Sequence, residues 1–81
     1  MVALKVESIT RIALPKYVII VHQHRQSDWQ FEHNGYSQID VLAHNNQDLP
    51  MRDLANILIE IEGVSSVEIV GWDNNGLRII R

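Results

Sequence analysis

The strongest pattern in the chain is an uninterrupted run of β-branched residues near the N-terminal end. Val18 to Val21 are consecutive and uncharged, and the chain becomes polar from His22 onward. Consecutive β-branched residues with no polar partner on either face are typical of a strand that is covered on both sides. We therefore predict a strand over residues 16–24.

The stretch 4–14 also alternates apolar and polar residues, but the alternation slips between Val6 and Ile12. A β-bulge or a strand break fits such a slip. A short helix is the alternative, because Val6, Ile9 and Ala13 approach helical spacing. The β-branched content favours the strand.

A hairpin is predicted in the middle of the chain. Aromatic and polar residues alternate over 29–33, an Asn-Gly pair follows at 34–35, and a second alternating run covers 36–43. Asn-Gly between alternating runs is typical of a type I′ turn, because both central residues need a positive φ. Phe31 would then face Gln38 across the turn.

One amphipathic helix is predicted over 49–62. Asp48 suits the N-cap position, and Gly63 stands where a C′ glycine ends a helix. The apolar positions form a single stripe at helical spacing: Leu54, Ile57, Leu58 and Ile61.

The C-terminal part predicts a strand over 66–72, a turn over 73–76 and a closing strand over 77–81. The fold class is therefore α+β within one domain, 1–81. We expect an antiparallel or mixed sheet of about five to six strands with a β-rich N-terminal half. A single helix would cover one sheet face, so the other face would need water or a second subunit.

Residues 53–81 contain a characteristic helix-to-strand connection, here called the helix-to-strand step. Helix residues lead into Gly63-Val64, and Val67 and Ile69 follow at alternating positions. This step resembles the helix-to-strand step of ferredoxin-like modules and is similar to that of ACT-type regulatory domains. It also resembles the porter subdomains of resistance-nodulation-division efflux pumps. The resemblance implies a sheet beneath a helix and carries no catalytic or ligand residue onto this chain.

Composition narrows the classes of protein. The 81 residues include no cysteine, 46% are hydrophobic, and the formal net charge is −3. These values exclude a disulfide scaffold and a thiolate metal site, and argue against a disordered chain or a strongly basic nucleic-acid binder.

The small size of the domain bears on its assembly. Domains of this length are marginally stable, and oligomerisation commonly adds the missing stability. We expect a homo-oligomer, first of all a dimer. With no signal peptide or membrane span visible, we expect it to be cytoplasmic.

Histidines give the first candidate site. His22 and His24 are two residues apart on a strand, so they share one face. A His-x-His pair is a common start of a Zn, Ni or Cu site, to which His44 or Asp28 could add ligands. The alternative is that these are ordinary surface histidines at a strand end. No other cofactor is expected.

Aromatic residues give the second candidate site. Trp29, Phe31 and Tyr36 cluster around the predicted hairpin, with Arg25 nearby. Tryptophan, tyrosine and arginine are the preferred anchors of protein interfaces, so this cluster predicts a site for a protein partner. Stacking of single-stranded bases and plain cross-strand packing are the alternatives.

No nucleophile elbow, paired-carboxylate motif or glycine-rich phosphate loop is present in the sequence. We therefore expect a non-enzymatic, homo-oligomeric domain that acts in protein–protein interaction or in regulatory binding of a small ligand. A histidine-based metal-binding protein and a single-stranded nucleic-acid-binding accessory protein are the alternative functions.

Overall fold

The computed structural model describes residues 5–26 and 38–81. Within them, two strands are followed by two helices and two further strands. All strand pairs are antiparallel, and the strand order is β1-β2-β3-β4. The α+β class is confirmed. The elements are β1 (Lys5–Ala13), β2 (Tyr17–Gln26), α1 (Gln38–Asn45), α2 (Met51–Ile59), β3 (Val64–Gly71) and β4 (Gly76–Ile80).

Strand β1 pairs with β2 in an unbroken register, so the predicted bulge or break in β1 is wrong. Ser8 and Thr10 are half-buried, whereas Ile12 on the same face is buried. That end of β1 tolerates polar residues without a change of register. The bulge lies instead between β2 and β3, where the register shifts at His22 and Gln23.

The predicted strand over 16–24 is confirmed as β2, one of the two inner strands. Ile19 and Val21 have no exposed surface, whereas Val18 and Ile20 on the opposite face are half-buried. The described elements therefore cover β2 on one face, although its sequence is typical of a strand covered on both.

The predicted strand over 36–43 is wrong from Gln38 onward, because those residues form α1. Ile39 and Ala43 are one helical turn apart and both are buried. Asp40 in the first turn and His44 in the last turn suit the helix dipole. The 29–33 strand and the 34–35 turn lie outside the described residues.

The predicted helix over 49–62 is confirmed as the shorter α2. Asp48 is not its N-cap: Pro50 holds that position without a side-chain cap, and its carbonyl accepts from the Leu54 N–H at 3.0 Å. The chain continues in tight turns to Gly63, whose φ of +87° is the left-handed conformation expected of a C′ glycine.

The C-terminal hairpin is confirmed as β3 and β4. The Gly71 N–H donates to the Asn75 carbonyl at 2.6 Å, and Asn74 has a positive φ of 71°. The described sheet thus has four strands rather than five to six, and two helices cover it rather than one. The helix–glycine–strand step that carries the resemblance is present. The order of the described elements nevertheless differs from the βαββαβ order of ferredoxin-like folds.

The hydrophobic core lies between the helices and one face of the sheet. Along the described chain, every buried side-chain nitrogen or oxygen has a hydrogen-bond partner. The largest fully buried side chains are Ile19, Ile39, Leu54, Leu58, Ile69, Val21, Val64 and Val67.

Candidate functional site

The sheet face opposite the helices, here called the open face, is covered by none of the described elements. Its members follow from strand alternation and from the cross-strand register. They are Glu7, Ile9, Arg11 and Ala13 of β1, Val18, Ile20, His22 and His24 of β2, Ser66, Glu68 and Val70 of β3, and Gly76, Arg78 and Ile80 of β4.

Apolar side chains occupy much of the open face. Val18, Ile20 and Val70 are half-buried at its middle. Ile9 and Ile80, on the two edge strands, are 59% and 67% exposed. Val18 and Val70 are direct cross-strand partners, and Ile20 follows Val18 on the same face of β2, so these three side chains form one apolar patch, and such patches mark interaction sites more often than single apolar residues do.

One cross-strand row of the open face carries charge of both signs. The register places Arg11 opposite Ile20, Ile20 opposite Glu68, and Glu68 opposite Arg78. In the described part of the chain, neither Arg11 nor Glu68 forms an ion pair. Both charges are therefore available to a partner that lies on this face.

A histidine–carboxylate pair lies at one end of the open face. The His22 Nδ1 atom is 3.3 Å from the Glu7 Oε1 atom, and His24 lies directly opposite Glu7 in the register. A carboxylate only accepts hydrogen bonds, so Nδ1 of His22 is the donor. In the neutral ring this leaves Nε2 with the lone pair.

The structure does not bring His44 to the other two histidines. His44 lies on α1, in the helix layer on the other side of the sheet, with its Nε2 atom 3.6 Å from Asp40 Oδ1. Residues 5–26 and 38–81 contain no group of three possible metal ligands. The fourth candidate ligand, Asp28, lies outside the described residues.

The predicted aromatic site cannot be located on the fold. Trp29, Phe31 and Tyr36 lie outside the described residues, and Arg25 is placed only as a β2 residue opposite Val6. This site stays a prediction.

Sequence reasoning missed a groove around Trp72 at one end of the sheet. The Trp72 indole N–H donates to the Leu14 carbonyl at 3.2 Å, which fixes a side chain that is 64% exposed. The groove measures about 600 Å³ and is open to solvent; Lys16, Asp48 and Met51 are among its lining residues. The signal in the sequence was an aromatic residue next to a polar turn.

Tyr17 forms part of the floor of this groove. Its side chain is buried, and its hydroxyl donates to the carbonyl of Gln47 in the turn after α1. Burial, and secondarily the nearby Asp48 carboxylate, raise the pKa of the Tyr17 hydroxyl above its ordinary value. The folded chain therefore favours the neutral phenol, which can donate the hydrogen bond.

Tyr17→Phe is expected to lower the free energy of unfolding by about 1 kcal/mol at pH 7, because one hydrogen bond is lost. The pKa is higher in the folded than in the unfolded chain, so the phenol's contribution is fully present below about pH 10 and decreases as pH rises further. Urea unfolding of both proteins at pH 7 and above pH 10 measures this. A difference between the two proteins that is equal at both pH values would contradict it.

Comparisons with protein-family models, with curated proteins and with solved structures give no match to this chain. The function is therefore argued from the geometry described above. Within the described ranges, no helix is long and apolar enough to cross a membrane.

Proposed function

We propose that the protein is a small, non-enzymatic association domain that forms a homodimer through the open face. One observation carries the proposal. The described helices cover one face of the sheet, and the middle of the other face, the open face, is apolar. An antiparallel sheet can leave one face in water, but apolar residues at the middle of that face gain stability when they are buried, and a second copy of the same sheet can cover them as in a sandwich.

The size of the open face is of the order that a dimer needs. Its four strands are 5 to 10 residues long, which corresponds to a plane of about 500 Å². Side chains roughen this plane and enlarge its accessible area. A standard interface takes about 800 Å² from each partner. The dimer would therefore use most of the face.

The charges on the open face favour one arrangement of the two copies. A two-fold axis along β2 places β1 of one copy over β3 of the other. Arg11 would then lie over Glu68 of the second copy, twice by symmetry, with Ile20 over its own counterpart between them. An axis between β2 and β3 would instead bring Arg11 over Arg78, which like-charge repulsion disfavours.

The proposed role of the dimer is to create a composite surface that neither copy has alone. A protein partner or a small regulatory ligand would bind where the two copies meet. Small size without disulfides supports this proposal, because burial of a second sheet face adds stability that a chain of this length otherwise lacks.

Ile20→Lys is expected to convert the dimer to a monomer, because two lysines would meet at the middle of the interface. Light scattering after size exclusion measures the mass, which should fall from twice 9.3 kDa to 9.3 kDa. The control is Val41→Lys, the same kind of change at an exposed apolar residue of α1. A wild-type monomer at 100 μM would overturn the proposal.

Charge reversal tests the arrangement itself. Arg11→Glu and Glu68→Arg should each weaken self-association about tenfold, because each creates two like-charge contacts across the axis. The double variant should recover most of the loss, because it restores opposite charges. Losses that simply add in the double variant would rule out this axis while leaving the dimer itself intact.

A further inference from the structure

The histidine end of the open face carries an inference beyond self-association. It begins with the contact between His22 Nδ1 and Glu7 Oε1 at 3.3 Å. Metal-binding histidines characteristically donate one ring N–H to a carboxylate, which fixes the ring and makes the other nitrogen a better ligand. Glu7 stands in this relation to His22, and Nε2 of His22 is the nitrogen left for a metal.

His24 is the second ligand candidate in the same place. It follows His22 by two residues on the same face, it is exposed, and it lies opposite Glu7. Residues two apart on a strand are separated by about 7 Å. Two imidazole rings span such a gap and can converge on one ion at Zn–N distances of about 2 Å.

The described part of one chain supplies only half of such a site. Within the described ranges no three candidate ligands come together, and two imidazoles alone leave a tetrahedral ion with two open positions. Two further side chains would close the site to water. The proposed two-fold axis along β2 brings the same histidine pair of a second copy over the first.

We infer that His22 and His24 of two copies together bind one divalent transition-metal ion at the dimer boundary. This inference rests on the proposed dimer. Stacked sheets lie about 10 Å apart, a distance that an imidazole from each side can bridge through a shared ion. Four neutral imidazoles suit Zn²⁺, Ni²⁺ or Cu²⁺ rather than Mg²⁺ or Ca²⁺, which prefer oxygen ligands. Glu7 is a positioning residue that orients His22.

The test uses the full chain without an affinity tag, stripped of metal and titrated with ZnCl₂ in a calorimeter. We expect one Zn²⁺ per two chains, and self-association at least about tenfold tighter with Zn²⁺ than without it. His22→Ala and His24→Ala should each abolish both effects. His44→Ala is the matched control, because His44 lies in the helix layer; it should leave both unchanged.

Glu7→Gln separates positioning from folding. It should weaken Zn²⁺ affinity about tenfold while the thermal unfolding of the metal-free protein stays the same. The visible absorption of the Co²⁺-loaded protein, which reports tetrahedral coordination, should lose intensity in this variant. An unchanged affinity in Glu7→Gln would overturn the role of Glu7.

The outcomes distinguish this inference from the proposed dimer. A dimer that binds no Zn²⁺ at 100 μM overturns the metal site and leaves the dimer standing. One Zn²⁺ per chain, or binding that survives His24→Ala, overturns the shared site. A chain that stays monomeric with and without Zn²⁺ overturns both proposals. A chain that is monomeric at 100 μM without Zn²⁺ but dimerises with it supports the shared site and overturns the metal-free dimer proposed above.

Discussion

Ile19→Ala is expected to lower the free energy of unfolding by about 3–4 kcal/mol. Ile19 has no exposed surface and lies in the middle of the sheet, opposite Ile12 on one side and Ile69 on the other. Truncation there removes apolar burial and leaves a cavity that neighbours on three strands fill only partly. Urea unfolding measures the change, and a melting temperature lower by well over 10 °C should accompany it.

Ile20→Ala is the matched control, since it is the same substitution one residue later on the other face. Ile20 is only half-buried, so the loss measured at concentrations where the chain is monomeric should be about 1 kcal/mol or less. Self-association should weaken in Ile20→Ala but not in Ile19→Ala. Equal losses of stability in both variants at these concentrations would mean that the chain itself covers both faces of β2.

A helix or strand could be predicted from the sequence where its residues fit only one hydrophobic periodicity. Helix α1 was not predicted, because its residues fit two. Ile39, Val41 and Ala43 alternate as in a strand, whereas Ile39, Leu42 and Ala43 also fit one face of a helix. Both patterns are present in the same few residues. What selects the helix is the packing of Ile39 and Ala43 into the core beside α2, and residues distant in the sequence supply that core. By contrast, α2 has a single apolar stripe, and Gly63 ends the turns that follow it, so the local pattern alone predicts a helix there.

The candidate site divides in the same way. That His22 and His24 share a face follows from strand alternation alone. The register between strands decides the rest. It brings Glu7 to His22, and it places Arg11 and Glu68 on either side of Ile20. Residues 11 and 68 are far apart in the sequence, and no local pattern places both of them beside Ile20. The expectation of a bare sheet face was available from the sequence, but its charge pattern was not.

The second large effect is expected at the entry to β3. Gly63 has a φ of +87°, and a Cβ added to it would lie 2.5 Å from the backbone carbonyl oxygen of His24. The Gly63 carbonyl also accepts a hydrogen bond from the His24 N–H at 2.8 Å. The backbones of the two residues are therefore in direct contact. A side chain at position 63 meets an unfavourable conformation and a neighbour that cannot rotate away.

Gly63→Ala is therefore expected to lower the free energy of unfolding by about 3 kcal/mol, from the left-handed backbone and the displaced strand end together. Gly71→Ala is the control. A Cβ at Gly71 approaches the ends of the Asp73 and Met51 side chains at 2.6 and 3.1 Å and the Asn75 carbonyl oxygen at 3.2 Å. Gly71 lacks the positive φ of Gly63, so its loss should be the smaller of the two, about 1–2 kcal/mol. Urea unfolding of the two variants side by side decides the matter. Equal stabilities would show that the chain reaches β3 without the left-handed turn. A selective loss in Gly63→Ala would show that the left-handed turn at Gly63, whose backbone contacts His24 at the end of β2, stabilises the fold.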